Sequence, residues 1–211
     1  MRDLLYGDCP LEVWPSGHLA ADAFPWNAFA EARKHLAASQ IDEAKACWRR
    51  VAAGVDLESR HYAQAWHFLR QQGGQPPPEI AKKVYGLVVE VGMAKGLDLL
   101  AAYPDGRARY YNFSGSGVVW EHPDASLDPL IGQLMDASAR VVAQIGPWDR
   151  ERPGPPPVDA MRLSVLTPSG LHFGQAPINT LAADPIGGKV VRLAGELMHA
   201  LIAKDPRMAG R

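Results

Sequence analysis

VYGLVVEVGMAKGLDLLAAYPDGRARYYNFSGSGVVWE, residues 84–121, is the stretch whose reading decides the fold. Tyr85, Leu87, Val89 and Val91 alternate with Val84, Gly86, Val88 and Glu90, a period of two that a pleated strand turns into two faces. Ala94-Lys95-Gly96 turns the chain into a second strand, Leu97 to Tyr103. Pro104-Asp105-Gly106 comes next. Proline presets φ at the first corner of a turn, aspartate bonds to nearby backbone, and glycine takes the left-handed position. A third strand is expected over Arg107 to Phe113, and Ser114-Gly115-Ser116-Gly117 turns it into a fourth, Val118 to Glu121. Four strands joined by tight turns make an antiparallel meander.

Downstream, Ser126 is the expected N-cap of a helix carrying Leu127, Leu130, Ile131, Leu134, Val141, Val142 and Ile145, with Pro129 in its first turn. Gly146-Pro147 stops it, and a charged, proline-rich loop occupies residues 149–158. A strand from Met161 to Thr167 returns through Pro168-Ser169-Gly170 as Leu171 to Gly174. The last helix, Gly188 to Ala203, is apolar over a wide arc, which implies deep burial or a partner surface. The order β-β-β-β-α-β-β-α predicts an α+β domain over 79–205, one antiparallel sheet with helices on one face. This order resembles profilin-like, roadblock and longin-like folds. That resemblance implies topology and carries no function.

Upstream, residues 1–25 are punctuated by Pro10, Pro15, Gly17 and Pro25, yet rich in apolar side chains, and are expected to pack as an irregular, extended arm. Over 26–74 the period becomes helical, with stripes at Phe29, Ala32 and Leu36, at Ala44, Cys47, Trp48 and Val51, and at Tyr62, Ala65, Trp66 and Leu69. Ala32, Leu36, Ala44, Trp48 and Val51 resemble one tetratricopeptide-type helical hairpin within residues 26–72. In that family small residues let two helices approach, an aromatic fills the groove, and the implied role is protein binding. No second copy follows about 34 residues on. Gly73-Gly74 and the prolines at 76–78 mark the boundary with the following domain.

The 211 residues carry a net charge of -1, which argues against nucleic acid or an anionic membrane as a partner. Two cysteines, Cys9 and Cys47, fit a reducing compartment better than a disulfide framework. Residues 1–10 hold Arg2, Asp3 and Asp8 and no apolar run of leader length, so a soluble cytoplasmic protein is expected.

Candidate chemistry is sparse. Gly187-Gly188-Lys189 before the last helix offers bare amides and an ammonium to a phosphate, although the hydroxyl of a phosphate-binding loop is replaced by Val190. Ser169 and His172 lie close in sequence without a nucleophile elbow. His122 sits beside Glu121 and Asp124, where an acid–base or metal role is conceivable, whereas a solvated loop histidine is the simpler reading. The remaining histidines, 18, 35, 61, 67 and 199, have no zinc-type cysteine spacing around them, and no metal or cofactor is expected. Tyr111 and Phe113 share a strand face with Arg107 and Arg109, opposite Ala108 and Tyr110.

Three functional readings follow, in order. The first is a non-catalytic interaction or adaptor protein engaging a protein partner or a second copy of itself. The second is a small-ligand sensor whose pocket, between the sheet and the 126–145 helix, is lined by Tyr85, Leu99, Tyr103 and Trp120. The third is an enzyme of unfamiliar type using Ser169, His172 or His122.

Overall fold

A computed structural model describes residues 1–15 and 22–205; Gly17 and His18 lie outside the described residues. The chain divides into two compact units, Met1–Ala81 with Pro168–Gly170, and Lys82–Thr167 with the residues from Leu171 onward.

In the first unit, α1 (Arg2–Tyr6) and a 3-10 turn (Leu11–Val13) precede α2 (Trp26–Ala37), α3 (Ile41–Ala52), α4 (Ser59–Gln71) and the short α5 (Pro78–Ala81). Most of each apolar stripe read from the sequence turns inward: Phe29 and Ala32, Ala44, Cys47, Trp48 and Val51, and Ala65, Trp66 and Leu69 are buried, Leu36 and Tyr62 are half-buried, and Phe68, outside that reading, is buried with them. Trp48 and Phe29 close on Phe68 at 5.3 and 6.1 Å between ring centroids. Where an extended arm is expected, residues 2–6 are helical. A five-residue helix is not stable alone, and here it is held by burial of Leu5 and Tyr6. The Gln64 amide then pins the following turn, accepting from the Cys9 N–H and donating to the Cys9 carbonyl, both at 2.9 Å.

In the second unit the strands are β1 (Gly86–Met93), β2 (Gly96–Ala102), β3 (Ala108–Tyr111), β4 (Gly117–Trp120), β5 (Ala160–Thr167) and β6 (Gly170–Pro177), in the spatial order β4-β3-β2-β1-β5-β6. α6 (Asp128–Gln144) separates β4 from β5, and α7 (Ile178–Ala182) and α8 (Gly187–Lys204) follow β6. The α+β class with an antiparallel sheet is as the period-two pattern predicts. Pro104–Gly106 is the tight reversal its residues demand: Gly106 N–H donates to the Tyr103 carbonyl at 3.1 Å, Arg107 N–H to the Asp105 carboxylate at 3.1 Å, and Gly106 has φ 81.

Register places Leu87 and Val89 beside Ala102 and Leu100, then Ala108 and Tyr110, then Trp120 and Val118, with Val165 and Leu163 on the other flank. These side chains form one apolar face, packed against Ile131, Leu134 and Val142 of α6 and Val190, Leu193, Leu197 and Leu201 of α8. The last helix thus spends its apolar arc on burial. The opposite face carries Val88, Glu90, Leu99, Ala101, Arg109, Arg162 and Ser164, which are also buried.

One cap differs from expectation. Ser126 lies inside a 3-10 turn, Ala125–Leu127, that leads into α6 and is capped by Asp124: the Asp124 carboxylate accepts the Ser126 N–H at 2.8 Å, the Ser126 hydroxyl accepts from Lys204 at 2.9 Å, and α6 has no side-chain cap. The Ser126 hydroxyl, and then its amide, hold the Asp124 carboxyl below its ordinary range.

Candidate functional site

The residues nominated for chemistry are brought together neither as an active site nor as a pocket. His172, fully buried on β6, sets Nδ1 3.1 Å from the Ile145 carbonyl. Burial holds its pKa below the usual value, against the opposing pull of that hydrogen bond. The native state therefore favours the neutral imidazole more than the unfolded chain does. As pH falls below about 6.5 the unfolded chain takes up a proton that the native state resists, so stability declines until the folded pKa is passed. We expect His172→Gln to flatten the fall in Tm between pH 7.5 and 5; an unchanged slope would remove His172 as its source.

Ser169 is half-buried in the first unit, its N–H donating to the Ala81 carbonyl at 3.1 Å. His122, at φ 60, pairs through Nε2 with Asp128 at 2.9 Å. Its neighbours are engaged elsewhere. Glu121 bonds Arg107 at 3.1 Å and also Arg109, and Asp124 caps the 3-10 turn before α6. Three separate structural contacts replace the acid–base cluster.

Gly187-Gly188-Lys189 opens α8 with two of its amides bonded to Asp184. Asp184 Oδ1 accepts from Ile186 N–H at 2.9 Å and Gly187 N–H at 2.6 Å, and the Asp184 carbonyl accepts from Gly188 N–H at 2.9 Å. These bonds, Gly187's first, pull the Asp184 pKa below its ordinary value. Gly188 is explained by packing, since a Cβ there would stand 2.5 Å from the Ala182 carbonyl oxygen.

The four proposed pocket residues do not face one space. Trp120 belongs to the apolar layer under α6 and α8. Leu99 pairs with Tyr111 on the other face, and Tyr103 lies over Gly86 on that same side. Side chains one residue apart on a strand point oppositely, so 99 and 103 part company with 100 and 102. Tyr85 is buried, with its N–H on the Leu166 carbonyl at 2.8 Å.

What the second unit does present is an edge. β4 ends the sheet order, and no described strand pairs beyond it. Its ribbon with β3 is fixed by Asn112, whose side-chain oxygen accepts from the N–H groups of Ser114 and Ser116 at 3.0 and 3.1 Å, and by Asp98, which accepts from Phe113 N–H at 2.7 Å and Tyr110 O–H at 3.0 Å. Burial, then Asp98, pushes the Tyr110 phenol up to about 12. Asn112 N–H donates to Ser116 O at 2.8 Å, and Ala108 and Tyr110 lie opposite Trp120 and Val118. Alternation of bonded and non-bonded pairs then directs the backbone groups of Gly117 and Val119 outward, to the open side. Val119 and Phe113 are 50% and 47% exposed beside it.

Natural edges are guarded by charge, proline or a covering segment. β4, Gly117-Val118-Val119-Trp120, has no charge and no proline. At the other end of the sheet, Trp148 N–H donates to the Leu171 carbonyl at 2.7 Å and β6 closes on Pro177. Among the described residues, the open edge is β4.

Sequence reasoning missed two further constellations. One is the row Glu90, Arg162 and Gln175 across β1, β5 and β6, of which Glu90 and Arg162 are buried. The other is the only group of metal-donor side chains found among the described residues, Glu31, His35 and Cys47 in the first unit. The Glu31–His35 spacing of four was the visible signal, since it places both on one helix face. No family model matches the chain, and no curated protein or solved structure does. No described helix is long and apolar enough to cross a membrane.

Proposed function

We propose that this chain is a protein-interaction module that takes an extended polypeptide segment as a seventh strand alongside β4. The reading is carried by one observation: an uncharged, proline-free edge with strong β formers, the backbone groups of Gly117 and Val119 directed outward, and Val119 and Phe113 exposed beside them. Main-chain bonds would supply affinity, and the exposed apolar pair would select for apolar side chains at alternate positions of the incoming strand.

Val119→Pro separates docking from folding. It removes an outward N–H while leaving the β3 bonds in place, as proline on an edge strand does. A random-peptide library selected on the immobilised wild-type chain should enrich segments of alternating apolar residues. Their affinity should drop about tenfold or more on Val119→Pro, the scale of one or two lost hydrogen bonds and their packing. If a second copy is the natural occupant, light scattering will show a dimer that Val119→Pro makes monomeric. Peptides indifferent to the substitution, or a library yielding none together with a monomer, would contradict the reading.

A further inference from the structure

The α2–α3 hairpin gathers three different metal-ligating side chains. Glu31 and His35 stand one turn apart on α2, Cys47 reaches them from α3, and one donor atom from each lies within 4.8 Å of the others. We propose that Glu31, His35 and Cys47 bind one divalent transition-metal ion of the zinc class, with a fourth coordination position left open.

Four features argue for this. First, the imidazole is oriented by a residue outside the set. His35 Nδ1 lies 2.7 Å from Gln40 Oε1; with Nδ1 donating, Nε2 keeps its lone pair, and Nε2 is the atom 3.8 Å from Glu31 Oε1. Ligating histidines are held this way by an acceptor on the far nitrogen. Second, the carboxylate is divided between two tasks. Arg50 holds Glu31 Oε2 at 3.1 Å, leaving Oε1 on the side of His35. Third, the thiol hydrogen-bonds to Glu31 from a buried position, with Cys47 4% exposed.

Fourth, the size is right. Zinc bond lengths of about 2.0–2.3 Å in a tetrahedron set donor–donor spacings of about 3.3–3.8 Å, so closing the set needs side-chain shifts of about 1 Å. Sulfur and nitrogen donors select the zinc class over magnesium or calcium, which take oxygen. Half-exposed His35 and exposed Glu31 leave the ion a path in from solvent.

The test uses the full chain, reduced and stripped with chelator, titrated with Co2+ and then Zn2+. One equivalent of cobalt should give the sulfur-to-metal charge-transfer band and the intense visible bands of a tetrahedral centre, both bleached by zinc. Cys47→Ser should abolish the charge-transfer band, and Cys9→Ser should leave it unchanged. Glu31→Gln and His35→Ala should each weaken binding about tenfold or more, and Gln40→Ala by about tenfold. His35 and Glu31 are surface positions, so those two variants decide the matter even if Cys47→Ser fails to fold, which circular dichroism will report. Absence of the band in folded chain at millimolar cobalt, a band that survives Cys47→Ser, or wild-type affinity in both His35→Ala and Glu31→Gln overturns the proposal.

Discussion

Replacing Arg162 with methionine is expected to cost about 3–5 kcal/mol of unfolding free energy in urea titrations. Glu90 and Arg162 are register partners on β1 and β5, 0% and 2% exposed, with Nη1 3.0 Å from Oε2. The guanidinium also donates to Gln175 through Nε at 3.0 Å and Nη2 at 2.5 Å, and to the Pro153 carbonyl at 3.2 Å, and it stands 5.5 Å from the Phe173 ring centroid. One cation therefore ties three strands and the preceding loop. Methionine keeps the packing volume and deletes the charge, so a buried carboxylate loses its cation in a medium that solvates it poorly. Replacing both members, Glu90→Leu with Arg162→Met, should recover most of the loss, because the desolvation cost disappears with the pair. A single-variant loss below about 1 kcal/mol, the range of an exposed pair, would contradict this account.

Gly92→Ala should be nearly as damaging, about 3 kcal/mol, with Gly92→Val worse. A Cβ at this position would lie 2.0 Å from the Pro157 carbonyl oxygen and 2.6 Å from its carbon. Both sides of that contact are backbone, so no side chain can swing away. Relief requires pulling the 149–158 loop off β1, which breaks the Asp159 N–H bond to the Gly92 carbonyl at 3.0 Å and the bridge between Gly92 and Val158. The proline-rich segment is thus a connector seated against the sheet. Thermal melts within about 0.5 kcal/mol of wild type would show that the seat is not needed.

The strands were legible because their cause is local. Period-two alternation and Pro104-Asp105-Gly106 act over a few residues, and the helices of the first unit announced themselves by spacing in the same way. What failed was set by distant partners. Ser126 and Asp124 are both good caps, and the structure uses Asp124 while the serine hydroxyl is bonded by Lys204, 78 residues away. α1 has too few residues to signal itself and exists because Leu5 and Tyr6 find cover. The pocket nomination mixed residues of opposite strand parity, an error that the alternation itself could have caught. Glu90 and Arg162 are 72 apart, and only the order of strands in the sheet makes them neighbours. The same order exposes β4, whose residues read as an ordinary strand. Glu31 and His35 were visible as a pair, but Cys47 joins them only through the packing of α2 on α3.

Hydrogen–deuterium exchange at single-residue resolution on the monomeric chain bears most directly on the claim that β4 is an open docking strand. The amides of Gly117 and Val119 should exchange orders of magnitude faster than those of Val118 and Trp120, and should become protected when a selected peptide binds. Equal, strong protection of all four amides in the free monomer would mean that the edge is already closed, and the proposed function would fall with it.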